Sequence, residues 1–132
     1  MSSFSSPAPI YHKPTDDEPG MVLNSEQGLF KFSGRSLPED PASLFEPVLE
    51  WVRQYAQSPN EETVLHFRLE YFNSSTARFL AEMLQLFEEI RFAGHRVRVC
   101  WWYFDEDQMM VERGEELESI VELDFEYKMI TD

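Results

Sequence analysis

Tyr71-Phe72-Asn73-Ser74-Ser75-Thr76-Ala77-Arg78 is a polar joint between two segments of different hydrophobic period. Upstream, Leu65, Phe67, Leu69 and Tyr71 recur at alternate positions and predict a half-buried strand over residues 63–72. Downstream, Leu80, Leu84 and Phe87 recur at helical spacing and predict a helix from about residue 75 to residue 93, with Arg91 in its last turn and Gly94 as its stop. Asn and Ser are helix-capping residues. A hydroxyl at a helix start lies beside unpaired backbone N–H groups and the positive end of the helix dipole. If Ser74 is a plain cap, it stabilises the helix by roughly 1 kcal/mol. If it is a switch, a phosphoryl group adds about −1.5 to −2 charge beside the same N–H groups. The helix end tolerates that charge, whereas a partner packed over it must desolvate it. Binding can therefore change while the fold survives.

Working outward, the same alternation marks a strand over residues 96–104. There Val97, Val99 and Trp101 oppose Arg98, Cys100 and Trp102. Short strands over 21–23 and 29–33 flank the turn Asn24-Ser25-Glu26-Gln27-Gly28 and form a hairpin. Asp40 and Pro41 open a first helix, with Leu44, Val48, Val52 and Tyr55 on one face. Pro47 either kinks this helix or moves its regular part to about Ser43. Asp105 or Asp107 caps a third helix that runs to about Ile120, and Phe125 and Tyr127 mark a last strand over 124–130. The resulting ββαβαβαβ order is α/β. A sheet buried on both faces would be apolar at nearly every position. Here His66, Arg68 and Glu70 oppose Leu65, Phe67 and Leu69. The expectation is a single mixed sheet of about five strands, with one layer of about three helices and one open face. Lys31, His66, Arg68 and Arg98 would meet on that open face beside Trp102. Residues 1–20, rich in Ser and Pro, read as a flexible tail before one domain over 21–132.

The chain has 132 residues, 42% of them hydrophobic, which suits one domain with a sizeable core. Its formal net charge of −14 argues against nucleic acid as a partner, because a phosphate backbone needs a basic footprint. From Asp105 onward there are eleven Asp or Glu against Arg113 and Lys128. That run is either a solvated acidic face or a docking surface for a basic partner. Cys100 is the only cysteine, and no segment has the pattern of a signal peptide or a membrane span. A cytoplasmic location without membrane insertion is the default expectation.

Little in the sequence points to catalysis. There is no glycine-rich phosphate loop, no zinc spacing and no Cys/His cluster, so neither a metal nor a cofactor is expected. Glu88-Glu89 and Glu115-Glu116 are adjacent on helices and do not face each other. Cys100 reads as a small buried hydrophobe and His66 as a surface histidine. An enzyme built on Cys100 or His66 is the least favoured reading.

The run Leu69 to Arg78 resembles the strand–Asn-Thr/Ser-Ser–helix signature of the SiaC-type regulatory phosphoproteins, long catalogued as a bacterial domain of unknown function. Gly34-Arg35-Ser36-Leu37-Pro38-Glu39-Asp40 is similar to that family's second motif, G-R-S-x-P-E-[ND], before its first helix. The resemblance spans about residue 21 to the C-terminus. It implies a STAS-like fold, related to the anti-sigma-factor antagonists. Asn73 and Thr76 stand where those antagonists carry Asp and Gly, which favours the SiaC type. It also implies a non-enzymatic phosphoprotein with Ser74 as acceptor and Ser75 and Thr76 as neighbouring alternatives. Thr is the more usual acceptor in the family. Tyr71, Asn73, Ser74, Ser75, Thr76 and Arg78 would form the partner-binding joint. The implied partners are a serine/threonine kinase, a PP2C-type phosphatase and a diguanylate cyclase. The unmodified form would bind and stimulate the cyclase, raising cyclic di-GMP and promoting biofilm formation. The alternative output is a partner switch on an anti-sigma kinase.

Overall fold

A computed structural model describes residues 6–131. In chain order the elements are β1 Ile10–His12, β2 Gly20–Asn24, β3 Leu29–Ser36, α1 Pro41–Tyr55, β4 Glu62–Phe72, α2 Ser74–Phe92, β5 Arg96–Phe104, α3 Gln108–Glu118 and β6 Asp124–Ile130. The six strands form one sheet in sequential order. β1, β2 and β3 pair antiparallel. β3, β4, β5 and β6 pair parallel, with one helix in each crossover. Each crossover adds its strand on the same side of the last. Right-handed connections therefore place all three helices on one sheet face and leave the other open.

The core lies between the helices and the inward rows of the strands. Phe30, Phe32, Leu65, Phe67, Val99 and Trp101 meet Phe45, Leu49, Val52, Leu80, Leu84 and Phe87, all buried. Aromatic pairs tie α1 to the sheet and to α2. Tyr55 contacts Phe30 and Phe87, and Phe45 stacks on Phe79 at 5.3 Å. On the outward rows, Lys31, Arg98 and Glu126 are exposed, as the alternation predicts.

The sheet begins earlier than expected. Residues 10–12 are a paired strand rather than part of a flexible tail, whereas residues 1–5 of that tail lie outside the described residues. Tertiary hydrogen bonds hold this segment, so its composition does not reveal it. Trp51 Nε1 donates to Ala8 O at 2.7 Å, and Asn24 Nδ2 donates to Tyr11 Oη at 2.7 Å.

The end of β4 also departs from simple alternation. Gly34 pairs with Leu69 but Arg35 pairs with Tyr71, so β4 carries one extra residue at Glu70. This bulge reverses the phase. Phe72, not Tyr71, enters the core, at 1% exposure against 41%. Gly34 sits at φ 84°, in the left-handed region, on the facing strand.

Helix α1 begins as expected. Asp40 caps it, accepting from Ser43 Oγ at 2.7 Å and Ser43 N at 3.2 Å, and these bonds hold its carboxyl below the ordinary range. The helix runs unbroken through Pro47, an exposed position, so the missing N–H bond falls on the solvent side. Asp107 caps α3 through Met110 N at 3.2 Å.

Candidate functional site at the β4–α2 joint

The joint starts where β4 leaves the sheet. Asn73 N donates to Ser36 O at 3.0 Å, extending the β3–β4 pairing one step past its last register pair. Asn73 then turns extended, at φ −90° and ψ 178°, and becomes the N-cap. Its Oδ1 accepts from Thr76 N at 2.9 Å and from Ser75 Oγ at 3.1 Å. Its carbonyl accepts from Ala77 N at 3.0 Å. The cap is therefore Asn73 rather than Ser74, and Ser74 is the first residue of the helix. An amide oxygen three bonds from Cα reaches the third helical N–H without straining the chain, which is why Asn ranks among the best caps.

This arrangement sorts the three hydroxyls. Ser74 is exposed. Ser75 is half-buried and its proton is committed to Asn73. Thr76 is 1% exposed. Its Oγ1 donates to Ser36 O at 3.2 Å and lies 2.8 Å from Ser36 Oγ. With one proton on each hydroxyl, Ser36 Oγ donates back to Thr76 Oγ1. Thr76 thus belongs to the interior and is unavailable as a contact for a partner.

The backbone donors are sorted as well. The first N–H groups of a helix have no intrahelical acceptor. Asn73 N and Thr76 N are engaged, which leaves the amides of Ser74 and Ser75 without an acceptor among the described residues. An anion on the Ser74 side chain would sit against these two donors and the positive helix end. Arg78 is exposed one turn further along the same face. Tyr71 is 41% exposed, with the Arg35 guanidinium 5.6 Å from its ring centroid. On the α3 side the Arg113 guanidinium lies 4.1 Å from the ring centroid of Phe72.

Of the residues expected at this site, Tyr71, Ser74 and Arg78 are each exposed, Asn73 and Ser75 form the cap, and Thr76 supports it from beneath. Sequence reading did not assign roles to Ser36, Arg35 or Arg113. The signal for the first two was present: the Gly34-Arg35-Ser36 motif and the Asn73-Ser74-Ser75-Thr76 motif are one structure, joined at Ser36.

Cys100 and His66 are paired neighbours on the open face. Burial pushes the Cys100 thiol up, with Glu126 adding to the shift, and this disfavours the thiolate. Burial and then the charges of Lys128, Lys31, Arg98 and Arg68 push the His66 imidazole down. Trp102 Nε1 donates to His66 Nδ1 at 3.2 Å, which places the remaining proton on Nε2. Among the described residues no group of His, Cys, Asp and Glu is placed to hold a metal ion, and no helix is long and apolar enough to cross a membrane.

Comparison with known proteins agrees with this geometry. The model of the SiaC family of regulatory phosphoproteins matches residues 12–130. An uncharacterized protein of Pseudomonas aeruginosa (strain UCBPP-PA14) is 28% identical over 102 residues, covering 77% of this chain and 81% of that one. The structure of SiaC of Pseudomonas aeruginosa superposes with a TM-score of 0.85 at 24% identity, over 93% of this chain and 99% of that chain. A second, of diguanylate cyclase SiaD in complex with its activator SiaC from Pseudomonas aeruginosa, matches with a TM-score of 0.85 at 24% identity, over 92% and 99% of the chains. At that identity the structural likeness speaks for the fold; the family match, spanning nearly the whole chain, goes further. The chain belongs to the SiaC family of regulatory phosphoproteins.

Proposed function

We propose that this protein is a non-enzymatic switch in which Ser74, phosphorylated by a serine/threonine kinase and restored by a PP2C-type phosphatase, controls binding to a diguanylate cyclase. One structural relative is an activator in complex with its diguanylate cyclase, and that relationship is carried to this chain as part of the proposal. The observation that carries the site assignment is the ranking of the three hydroxyls: Ser74 exposed, Ser75 bonded to the cap and Thr76 buried. A kinase must bring its catalytic groups to the acceptor oxygen, and only Ser74 offers one without dismantling the cap.

In the unmodified state Ser74 and Arg78 present a polar, cationic strip at the start of α2, and the exposed Tyr71 ring lies at the end of β4 beside Arg35. Phosphorylation places about −1.5 to −2 charge on that strip. The amides of Ser74 and Ser75 stabilise that charge in the free protein. A partner closing over it must strip its water without replacing it, so the modified form releases the partner. Cyclic di-GMP output, and with it biofilm formation, would follow the unmodified fraction.

The test is incubation with ATP and a serine/threonine kinase encoded beside this chain's gene, followed by mass mapping. Phosphate on Ser74, lost in Ser74→Ala and kept in Thr76→Val, is the expected result. Undiminished phosphate uptake by Ser74→Ala would refute the site. A pull-down that recovers an anti-sigma kinase in place of a cyclase would keep the switch and change its output.

A further inference from the structure

The open sheet face carries a second feature that the joint does not use. Trp102 lies there between two cations, with the Arg68 guanidinium 5.2 Å and the Lys128 Nζ 5.5 Å from its ring centroid. Its indole N–H is fixed by His66. Lys31 stands beside His66 in the β3–β4 register. Two adjacent grooves, of about 240 Å³ and about 440 Å³, run across this face and share Lys31 and Arg68 as walls.

The cations on this face are not equivalent. Arg98 is neutralised by Glu62 at 3.6 Å and Glu126 at 3.4 Å, and Lys128 approaches Glu126 at 4.0 Å. Among the described residues no carboxylate forms an ion pair with Lys31 or Arg68. Two uncompensated cations thus sit side by side on a chain of net charge −14, where acids are the general rule. All four charges acting on His66 are cationic, which reports the same local field. Glu70 lines the larger groove and would repel an anion placed over it, so the field favours acids over Lys31 and Arg68.

Exposed apolar groups lie at either end. Leu29, 44% exposed, borders the smaller groove, and Phe104, 37% exposed, borders the larger. The grooves are open troughs rather than enclosed pockets, which suits an extended chain better than a small molecule. From this juxtaposition we infer that the open face of the sheet is a second docking surface, for an acidic segment of a partner protein. Carboxylates of that segment lie over Lys31 and Arg68, and its flanking apolar side chains rest on Leu29 and Phe104. The surface is on a different face from Ser74 and does not depend on the phosphorylation reading.

The test is a titration of the ¹⁵N-labelled full chain, at physiological salt, with a capped octapeptide alternating glutamate and leucine. The expected result is saturable shifts of the Trp102 indole N–H and of the Lys31 and Arg68 amides. Binding should weaken at least tenfold in Lys31→Glu/Arg68→Glu, and also in Lys31→Gln/Arg68→Gln, a milder pair that keeps the fold if charge reversal does not. Three outcomes would overturn the inference: no shifts at millimolar peptide, shifts elsewhere on the molecule, or equal binding of a lysine–leucine peptide. Concentration-dependent broadening without peptide, abolished by the same substitutions, would assign the face to a second copy of the chain and would also overturn it.

Discussion

The hydroxyl pair beneath the joint makes a quantitative prediction. Thr76→Val keeps the shape of the side chain and removes its oxygen. Two hydrogen bonds are lost, Thr76 Oγ1 to Ser36 O and Ser36 Oγ to Thr76 Oγ1. Each contributes about 1 kcal/mol net, and an orphaned buried hydroxyl costs about 1–3 kcal/mol more. Ser36 is 0% exposed, so no water replaces the lost partner, whereas its carbonyl retains the Asn73 N–H. The expected loss for Thr76→Val is about 3 kcal/mol. Ser36→Ala leaves Thr76 still donating to Ser36 O and should cost only about 1 kcal/mol. The double variant removes the orphan together with its partner, so it should be more stable than Thr76→Val alone. That gives a coupling of about 2 kcal/mol, within the range seen for contacting residues. Urea unfolding of the four proteins measures the cycle directly. Additive losses, or a Thr76→Val loss below about 0.5 kcal/mol, would refute the view that this pair braces the joint.

Three other expectations concern stability. Asn73→Ala should cost about 1 kcal/mol by freeing the Thr76 amide, and Asn73→Asp should retain the cap; thermal melts distinguish the two. Gly114→Ala should lower the melting temperature by several degrees, because a Cβ there would lie 2.6 Å from Trp101 Nε1, which already donates to Met110 O. Overpacking of about 1–3 kcal/mol outweighs the gain of about 1 kcal/mol in helix propensity. His66 binds a proton less readily in the folded chain than in the unfolded one, whose pKa is near 6.5. Stability should therefore be unaffected by His66 well above that pH and fall as pH drops through it, while His66→Gln should flatten that part of the urea-midpoint profile.

The main architecture is legible because each parallel strand and each helix carries its own period. β5 and β6 begin and end where alternation and turn residues place them, and Asp40 with Pro41 marks the start of α1. The features that escape the sequence depend on contacts between distant residues. Tyr71 continues the apolar alternation by composition, but a bulge set by pairing with Gly34 and Arg35 turns it outward. β1 is held by pairing with β2, and the stretch just before it by Trp51, far along the chain, so its own residues do not signal it. At the joint the capping chemistry was readable, but not which residue supplies the cap. Asn73 and Ser74 both suit the role, and the choice is made by the Asn73 N–H bond to Ser36, 37 residues earlier in the numbering. That bond also unites the two motifs, which a linear reading keeps apart.

The most direct measurement is the affinity of a diguanylate cyclase from the same organism for the chain carrying a stoichiometric phosphoserine at position 74, compared with the unmodified chain. The unmodified protein is expected to bind and stimulate the cyclase. The phosphorylated protein should keep the same melting temperature and bind more than about 100-fold more weakly, equivalent to about 2.7 kcal/mol. Equal affinities in the two states, with both proteins folded, would contradict control by charge at Ser74.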